Sequence, residues 1–343
     1  MKKNSLHEDL DYILLNTEKF WKNMHNKNLF LTGGTGFFGS WILESIIWAI
    51  DNLSVNINAL VLTRNYEIFK SKAPHLANHP NIRFHTGDIC NFSFPNGDFS
   101  AVIHAASDTK DSKNSLSMLD IIIKGTKRTL EFAISNKVEK FLFISSGAVY
   151  GKQPNKLKNI NESFVGLPSP NDKDSTYGLG KILSEHICKL YSEKYSLDVK
   201  IARCFTFIGP YLPLNKGYAV GNFIQDGLRN SQIHIKGDGT PYRSYLYASD
   251  LVIWLMKILV EGKTCQPYNV GSPTEITISD LAKSVAKHFH PIPKVIVRDP
   301  IIKSNKDPER YVPSIDLIKT ELGLTNFIEL NSSIEKTIKW YNQ

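Results

Sequence analysis

The sequence predicts an α/β fold, a doubly wound parallel sheet with a smaller second lobe after it. Three observations carry that expectation. Short apolar runs alternate with helical periodicity from Leu29 to Cys204, the pattern of a parallel sheet covered on both faces. The first run leads through glycines 33, 34, 36 and 39 straight into a helical pattern, so a strand, a glycine turn and a helix follow one another. Beyond Gly209 the alternation loosens, and Pro210, Pro213, Gly217, Gly221, Gly237, Gly239 and Pro241 punctuate the chain.

Residues 1–27 precede the first strand. Leu6, Leu10, Ile13, Leu14 and Phe20 predict an amphipathic helix that caps the domain, meets a second copy, or is an ordered extension without a function of its own. The apolar run at 29–31 is the first strand, and Trp41, Ile42, Leu43, Ile46 and Ile47 mark the helix after the turn. Further strands are expected at 59–63, 82–85, 101–106, 141–146 and 199–204, with helices at 119–136 and 177–195 between them. Helices at 278–288 and 331–341 follow, joined by irregular stretches. The division expected is 1–27 as an extension, 28–208 as the sheet domain with some later segments returning to it, and 209–343 mainly as the smaller lobe.

Composition narrows the class. The chain has 343 residues, 42% hydrophobic and 22% charged, ordinary for a globular protein with ample core. The net charge of +8 is scattered among acids rather than gathered in a block, so nucleic acid is not an expected partner. No apolar run is long enough to cross a bilayer, and the N-terminus has no signal-peptide core. A cytoplasmic location with no membrane partner is therefore expected. Cys90, Cys188, Cys204 and Cys265 lie far apart in no metal or redox motif, so no metal is expected.

Three stretches carry chemistry. In the glycine turn, Gly33 permits the sharp exit from the strand, Gly36 admits a phosphate to the backbone, and Gly39 lets the helix pack close. The helix N-terminus then offers unpaired N–H groups to a dinucleotide diphosphate. The second stretch, S-S-G-A-V-Y-G from Ser145, sits at the C-terminal end of a parallel strand, where open α/β sheets bind ligands. The third, Y-G-L-G-K, places Tyr177 and Lys181 four apart on one helix face. An ammonium beside a phenol favours the phenolate, so Tyr177 can serve as general acid or base, with Ser146 holding the reacting oxygen.

These motifs together resemble an extended short-chain dehydrogenase/reductase of the nucleotide-sugar epimerase/dehydratase family, from about Asn28 to the C-terminus. Beside T-G-G-T-G-F-F-G, the resemblance rests on G-D-I at 87–89, H-A-A-S at 104–107 and G-D-G-T-P-Y-R-S-Y-L-Y-A-S-D at 237–250. It rests also on Y-N-V-G-S at 268–272 and on R-Y-V-P-S from Arg310. The resemblance implies a Rossmann domain with a C-terminal sugar-nucleotide lobe. It implies Ser146, Tyr177 and Lys181 as the catalytic set, with Lys181 also on the cofactor ribose. Gly33, Thr35, Gly36, Phe37, Phe38, Gly39, Asp88, Ile89, Ala105, Ala106 and Ser107 would line NAD or NADP. Ser107, Ser146, Thr206, Asn222, Arg243 and Arg310 would meet a nucleotide-diphosphate sugar, the two arginines at its diphosphate. A homodimer through the helices at 119–136 and 177–195 is implied, and a role in surface-polysaccharide or deoxysugar biosynthesis.

Departures from the family pattern choose among its reactions. Its 4,6-dehydratases carry an acid pair after the serine or threonine, one of which protonates the departing C6 hydroxyl, and its decarboxylases usually carry a glutamate there. Here Gly147 and Ala148 stand at those positions, like the small residues of 4-epimerases and 4-ketoreductases. Thr206 and Ile122 replace asparagines common in relatives. Arg64 closes the second strand where an NAD site usually has an acid, and a guanidinium suits the 2′-phosphate of NADP. The expected function is an oxidoreductase at C4 of a nucleotide-diphosphate sugar, as 4-epimerase or 4-ketoreductase. The alternatives are a dehydratase or decarboxylase of the same family, or a non-catalytic NAD(P)-binding sensor, which would not need the complete Ser146, Tyr177 and Lys181 set.

Overall fold

The chain begins with α1 (His7–Asn23), β1 (Lys27–Thr32), α2 (Phe37–Leu53), β2 (Ile57–Thr63), α3 (Tyr66–Lys72), α4 (Pro74–Ala77) and β3 (Ile82–Thr86). It continues with β4 (Ala101–His104), α5 (Ser115–Ser135), β5 (Lys140–Ser146), α6 (Thr176–Tyr195) and β6 (Asp198–Cys204). Then come β7 (Phe207–Ile208), α7 (Ala219–Leu228), β8 (Ile233–Ile235), β9 (Tyr242–Arg243), β10 (Leu246–Tyr247), α8 (Ala248–Glu261) and β11 (Pro267–Val270). The chain closes with β12 (Ile276–Thr277), α9 (Ile278–Ala286), β13 (Val295–Val297), β14 (Arg310–Tyr311), α10 (Asp316–Leu322) and α11 (Leu330–Tyr341). The structure is a computed structural model and describes residues 5–107, 114–298, 308–325 and 328–343, so residues 1–4 of the N-terminal extension lie outside it.

Two units divide the chain. Residues 1–151, 167–204 and 252–268 form the first, and 152–166, 205–251 and 269–343 the second. The seven-stranded sheet runs in the order β11-β6-β5-β4-β1-β2-β3. From β6 to β3 every pair is parallel, as β-α-β crossovers require. The order reverses at β1, which lies between β2 and β4, and a doubly wound sheet opens its ligand crevice at that switch point. Phe30, Phe92, Phe99 and Phe132 fill the space between the sheet and α5, with ring centroids of Phe30 and Phe132 4.3 Å apart. The expected N-terminal helix is present as α1. It buries Leu10, Ile13, Phe20 and Trp21, packs on α2, and its Asp11 accepts the Trp48 indole N–H at 2.9 Å.

Several boundaries differ from the sequence expectation, β2 starting at Ile57 and α9 ending at Ala286 among them, and two others differ for a visible reason. The fourth strand ends at His104 rather than residue 106, because Ala105 N–H bonds the Thr32 carbonyl and Ala106 N–H turns to the Thr32 hydroxyl at 3.1 Å. The long helix starts at Ser115 rather than 119, because the Asn114 side chain accepts the Ser117 N–H at 3.0 Å and caps it.

The second unit is built from small sheets. β12, β9 and β14 form one, β13 and β8 another, and β10 with β7 a third. α7 and α9 pack together and onto β8. The Asn269 amide donates to Ile160 and Ser314 carbonyls at 2.9 and 3.1 Å, tying three distant segments together. Among the described residues no helix is long and apolar enough to cross a membrane, and no cluster of His, Cys, Asp or Glu suits a metal ion.

Candidate functional site

A cleft of about 430 Å³ opens in the first unit at the carboxyl ends of β1, β2 and β4. Gly33, Thr35 and Gly36 line it from the glycine turn, Leu62 to Asn65 from the end of β2, and Ile68, Phe69 and Lys72 from α3. Gly87 to Ile89, Ala105 to Ser107, and Ile121 complete the lining. Gly33 has φ +73°, and a Cβ there would stand 2.6 Å from the Ala105 carbonyl carbon, so only glycine lets the two loops meet. Gly36 caps α2 without a side-chain bond, and a helix N-terminus with its positive dipole end suits a phosphate. Backbone donors at a helix start, with apolar Ile68, Phe69, Ile89 and Ile121 beside them, fit a dinucleotide with a diphosphate and a flat base.

The sequence placed Gly33, Thr35, Gly36, Arg64, Asp88, Ile89, Ala105, Ala106 and Ser107 at a cofactor, and all nine line this one cleft. Phe37, Phe38, Gly39 and Lys181 do not line it. Phe37 and Phe38 open α2, and Gly39 is buried against Gly34. Lys72 and Asn65 also line the cleft and were missed, Asn65 because it reads as the cap of α3, whose Ile68 N–H its side chain accepts, and Lys72 because only α3 carries it to the lining. Arg64 and Lys72 are both exposed, whereas Asp88, the one carboxylate in the lining, accepts the Cys90 N–H at 2.9 Å.

β5 and the turn after it pack against α6, with Ser146 on the first and Tyr177 and Lys181 on the second. Ser146 ends β5, and its hydroxyl accepts the Ala148 N–H at 3.1 Å, capping the 3-10 turn Gly147–Tyr150. Lys181 is 2% exposed. Its ammonium donates to the Ile144 carbonyl at 2.8 Å and lies 5.8 Å from the centroid of the Tyr177 ring. Burial pulls its pKa down to about 8. At that distance a positive charge still favours phenolate. α6 reaches this position because Gly178 lies against the 3-10 turn, where a Cβ would stand 2.5 Å from the Ala148 oxygen. Gly178→Ala is expected to cost about 1–3 kcal/mol, as overpacking does. Thermal unfolding checks this, and an unchanged Tm would mean that α6 shifts freely.

Below the site, His104 connects β1, β4 and α5. Thr126 gives its hydroxyl proton to the Ile122 carbonyl at 2.7 Å, so it accepts from His104 Nε2 at 3.2 Å. Nδ1 then accepts from the Thr32 hydroxyl at 2.8 Å, and Thr32 accepts the Ala106 N–H. Full burial, with Lys181 nearby, lowers His104 to about 3, so this ring is neutral and fixes the cleft wall at Ala106.

The remaining predicted residues lie in the second unit. The Thr206 hydroxyl donates to the Ser244 carbonyl, and Asn222 is half-buried on α7. Arg243 and Arg310 sit on neighbouring strands, β9 and β14. Arg243 has Glu309 at 3.9 Å. Arg310 pairs with Glu275 and lies 4.2 Å over the Tyr242 ring.

Comparison with known proteins follows the same lines. The model of the NAD dependent epimerase/dehydratase family matches residues 29–271. The chain is 29% identical over 316 residues to UDP-glucuronic acid decarboxylase 4 of Arabidopsis thaliana, covering 91% of this chain and 68% of that one. The crystal structure of UDP-glucose 4-epimerase from Thermotoga maritima with UDP-glucose aligns with a TM-score of 0.78 at 22% identity, covering 92% of this chain and 98% of that one. The dTDP-glucose 4,6-dehydratase of Bacillus anthracis in complex with NAD aligns with a TM-score of 0.74 at 20% identity, over 92% and 96% of the two chains.

Proposed function

The chain belongs to the NAD-dependent epimerase/dehydratase family, and from that premise we propose that it is an oxidoreductase acting at C4 of a nucleotide-diphosphate sugar, as 4-epimerase or 4-ketoreductase. One observation carries the choice of reaction: Ser146, Tyr177 and Lys181 are present together, while the turn after Ser146 offers only Gly147 and Ala148. A bound nicotinamide supplies the hydride acceptor or donor at C4. The Tyr177 phenolate takes the proton of the 4-hydroxyl when C4 is oxidised, and returns it to the 4-keto oxygen on reduction. Ser146 holds that same oxygen by hydrogen bond. Lys181 stabilises the phenolate through its charge. Arg243 and Arg310 supply guanidinium groups for the diphosphate, a planar fork matched to phosphate oxygens. Mass spectrometry of nucleotide sugars incubated with the protein and NAD or NADP tests this. A change at C4, without mass loss or with gain of two hydrogens, supports it.

A second reading, decarboxylation of a nucleotide-linked uronic acid, draws on the identity to the Arabidopsis decarboxylase. Loss of carbon dioxide from a UDP-uronic acid would favour it.

NADP is the proposed cofactor. Arg64 and Lys72 put two cations in the cleft lining, and cations suit the extra phosphate of NADP. Arg64→Ala is expected to weaken NADP about ten- to a hundredfold and NAD little, the scale of one charge-assisted bond. Titration calorimetry with each dinucleotide decides, and equal weakening of both would place Arg64 away from the phosphate. A homodimer fits as well, since Leu116 on α5 and Leu183 and Leu190 on α6 are exposed. A cytoplasmic location fits four free cysteines.

A further inference from the structure

Glu185 stands on α6, four residues after Lys181 and eight after Tyr177, so the three share one helix face. Its carboxylate is where three elements meet. From β5, the Ser145 hydroxyl donates to Oε1 at 2.5 Å. From β6, Arg203 forks onto both oxygens, with Nη2 2.7 Å from Oε2 and Nε 3.0 Å from Oε1. The Arg203 guanidinium also lies 4.8 Å over the ring of Tyr150, the residue that ends the 3-10 turn. Ser145 and Arg203 are paired in the β5–β6 register, and the next residue along β5 is Ser146. A single carboxylate thus holds both sides of the segment that carries Ser146 to the helix that carries Tyr177.

The charges point the same way. Arg203 is a largely buried cation paired with Glu185, and Lys181, one helical turn before Glu185 on α6, is a second buried cation. Lys181 faces the Ile144 carbonyl of β5, the neutral His104 of β4, the Cys204 thiol of β6, and Tyr177, Glu185 and Cys188 of its own helix. Burial holds both thiols protonated well above neutral pH. Glu185 is therefore the negative charge among them. Arginine keeps its proton in any such setting, whereas a buried lysine left without a counter-charge gives its proton up.

We propose that Glu185 is a positioning residue: it seats Ser146 through Ser145 and Tyr150, and it keeps Lys181 an ammonium beside Tyr177. Removing the Glu185 charge leaves two buried cations, and Lys181 answers by losing its proton. Removing the Arg203 charge releases Glu185 to Lys181 alone, so Lys181 holds its proton to higher pH. The two substitutions act in opposite directions on one group, which a role confined to packing would not produce.

The test uses the full chain with ¹³Cε-labelled lysine, the Lys181 signal being the one absent from Lys181→Met. In Glu185→Gln that signal is expected to titrate about one pH unit or more below wild type, and in Arg203→Met above it. The basic limb of kcat against pH moves the same ways with little change in KM, and Glu185→Asp returns it toward wild type. Glu185→Gln is nearly isosteric and still accepts the Ser145 hydroxyl, so it decides the matter alone should Arg203→Met not fold. A Lys181 titration unmoved in Glu185→Gln, whatever the loss in Tm, overturns the proposal. The activity readout rests on the C4 oxidoreductase reading, but the lysine titration does not. A protein inert toward every nucleotide sugar counts against that reading and leaves the titration to judge Glu185.

Discussion

Tyr177→Phe is expected to lower turnover by about two to four decades, the scale of a lost general acid or base. The substitution removes one oxygen and leaves the ring. α6 keeps Gly178 against the Ala148 carbonyl, and Lys181 keeps its bond to the Ile144 carbonyl. The fold should therefore persist with a near-native Tm. Tyr177 does not line the cleft at the ends of β1, β2 and β4, so NAD and NADP are expected to bind as before. The loss falls on kcat, because the proton transfer belongs to the transition state. Single-turnover kinetics with bound cofactor isolates that step from product release. Near-normal turnover in this variant would move the acid–base role to another group.

Legibility in the sequence followed the range of the interaction. The strand, glycine turn and helix at 29–47 could be read directly, because the periodicity and the glycines are local and the structure has β1, the turn and α2 there. The same holds for the spacing that brings Tyr177 over Lys181. The end of β4 was misread because the apolar run continues to Ala106 while its hydrogen bonds do not, and they are set by Thr32, seventy-odd residues earlier. The seventh strand, β11, was not assigned, since Pro267–Val270 is short and gains its strand character from a place at the edge beside β6. Glu185 and Arg203 were invisible for a related reason. An acid on a helix and an arginine on a strand read as solvated charges until the fold buries them against each other. Lys72 was legible as a surface lysine and nothing more until α3 placed it in the lining of the cleft.

Incubated with an NDP-hexose that keeps its 6-hydroxyl, the protein is expected to give no product lighter by one water. Elimination across C5 and C6 needs a positioned acid to protonate the departing hydroxyl, and that term alone is worth about two to four decades. The residues after Ser146 are Gly147 and Ala148, fixed in a 3-10 turn by the Ser146 cap, and neither can donate a proton. A carboxylate would have to come from elsewhere in the chain. The Glu162 carboxylate already accepts the Asn269 N–H at 2.8 Å, so using it would break a bond that holds its own unit together. Asp174 is exposed on the short turn that leads into α6, with its N–H bonded to Asp172. Asp174→Asn tests that residue as the acid: any trace of dehydration that depends on it should vanish in that variant. Interconversion at C4 at constant mass marks the epimerase form, and consumption of NADPH by a 4-keto-6-deoxy sugar marks the reductase form. Steady accumulation of a 4-keto-6-deoxy product from the hexose would sink the prediction and restore the dehydratase reading.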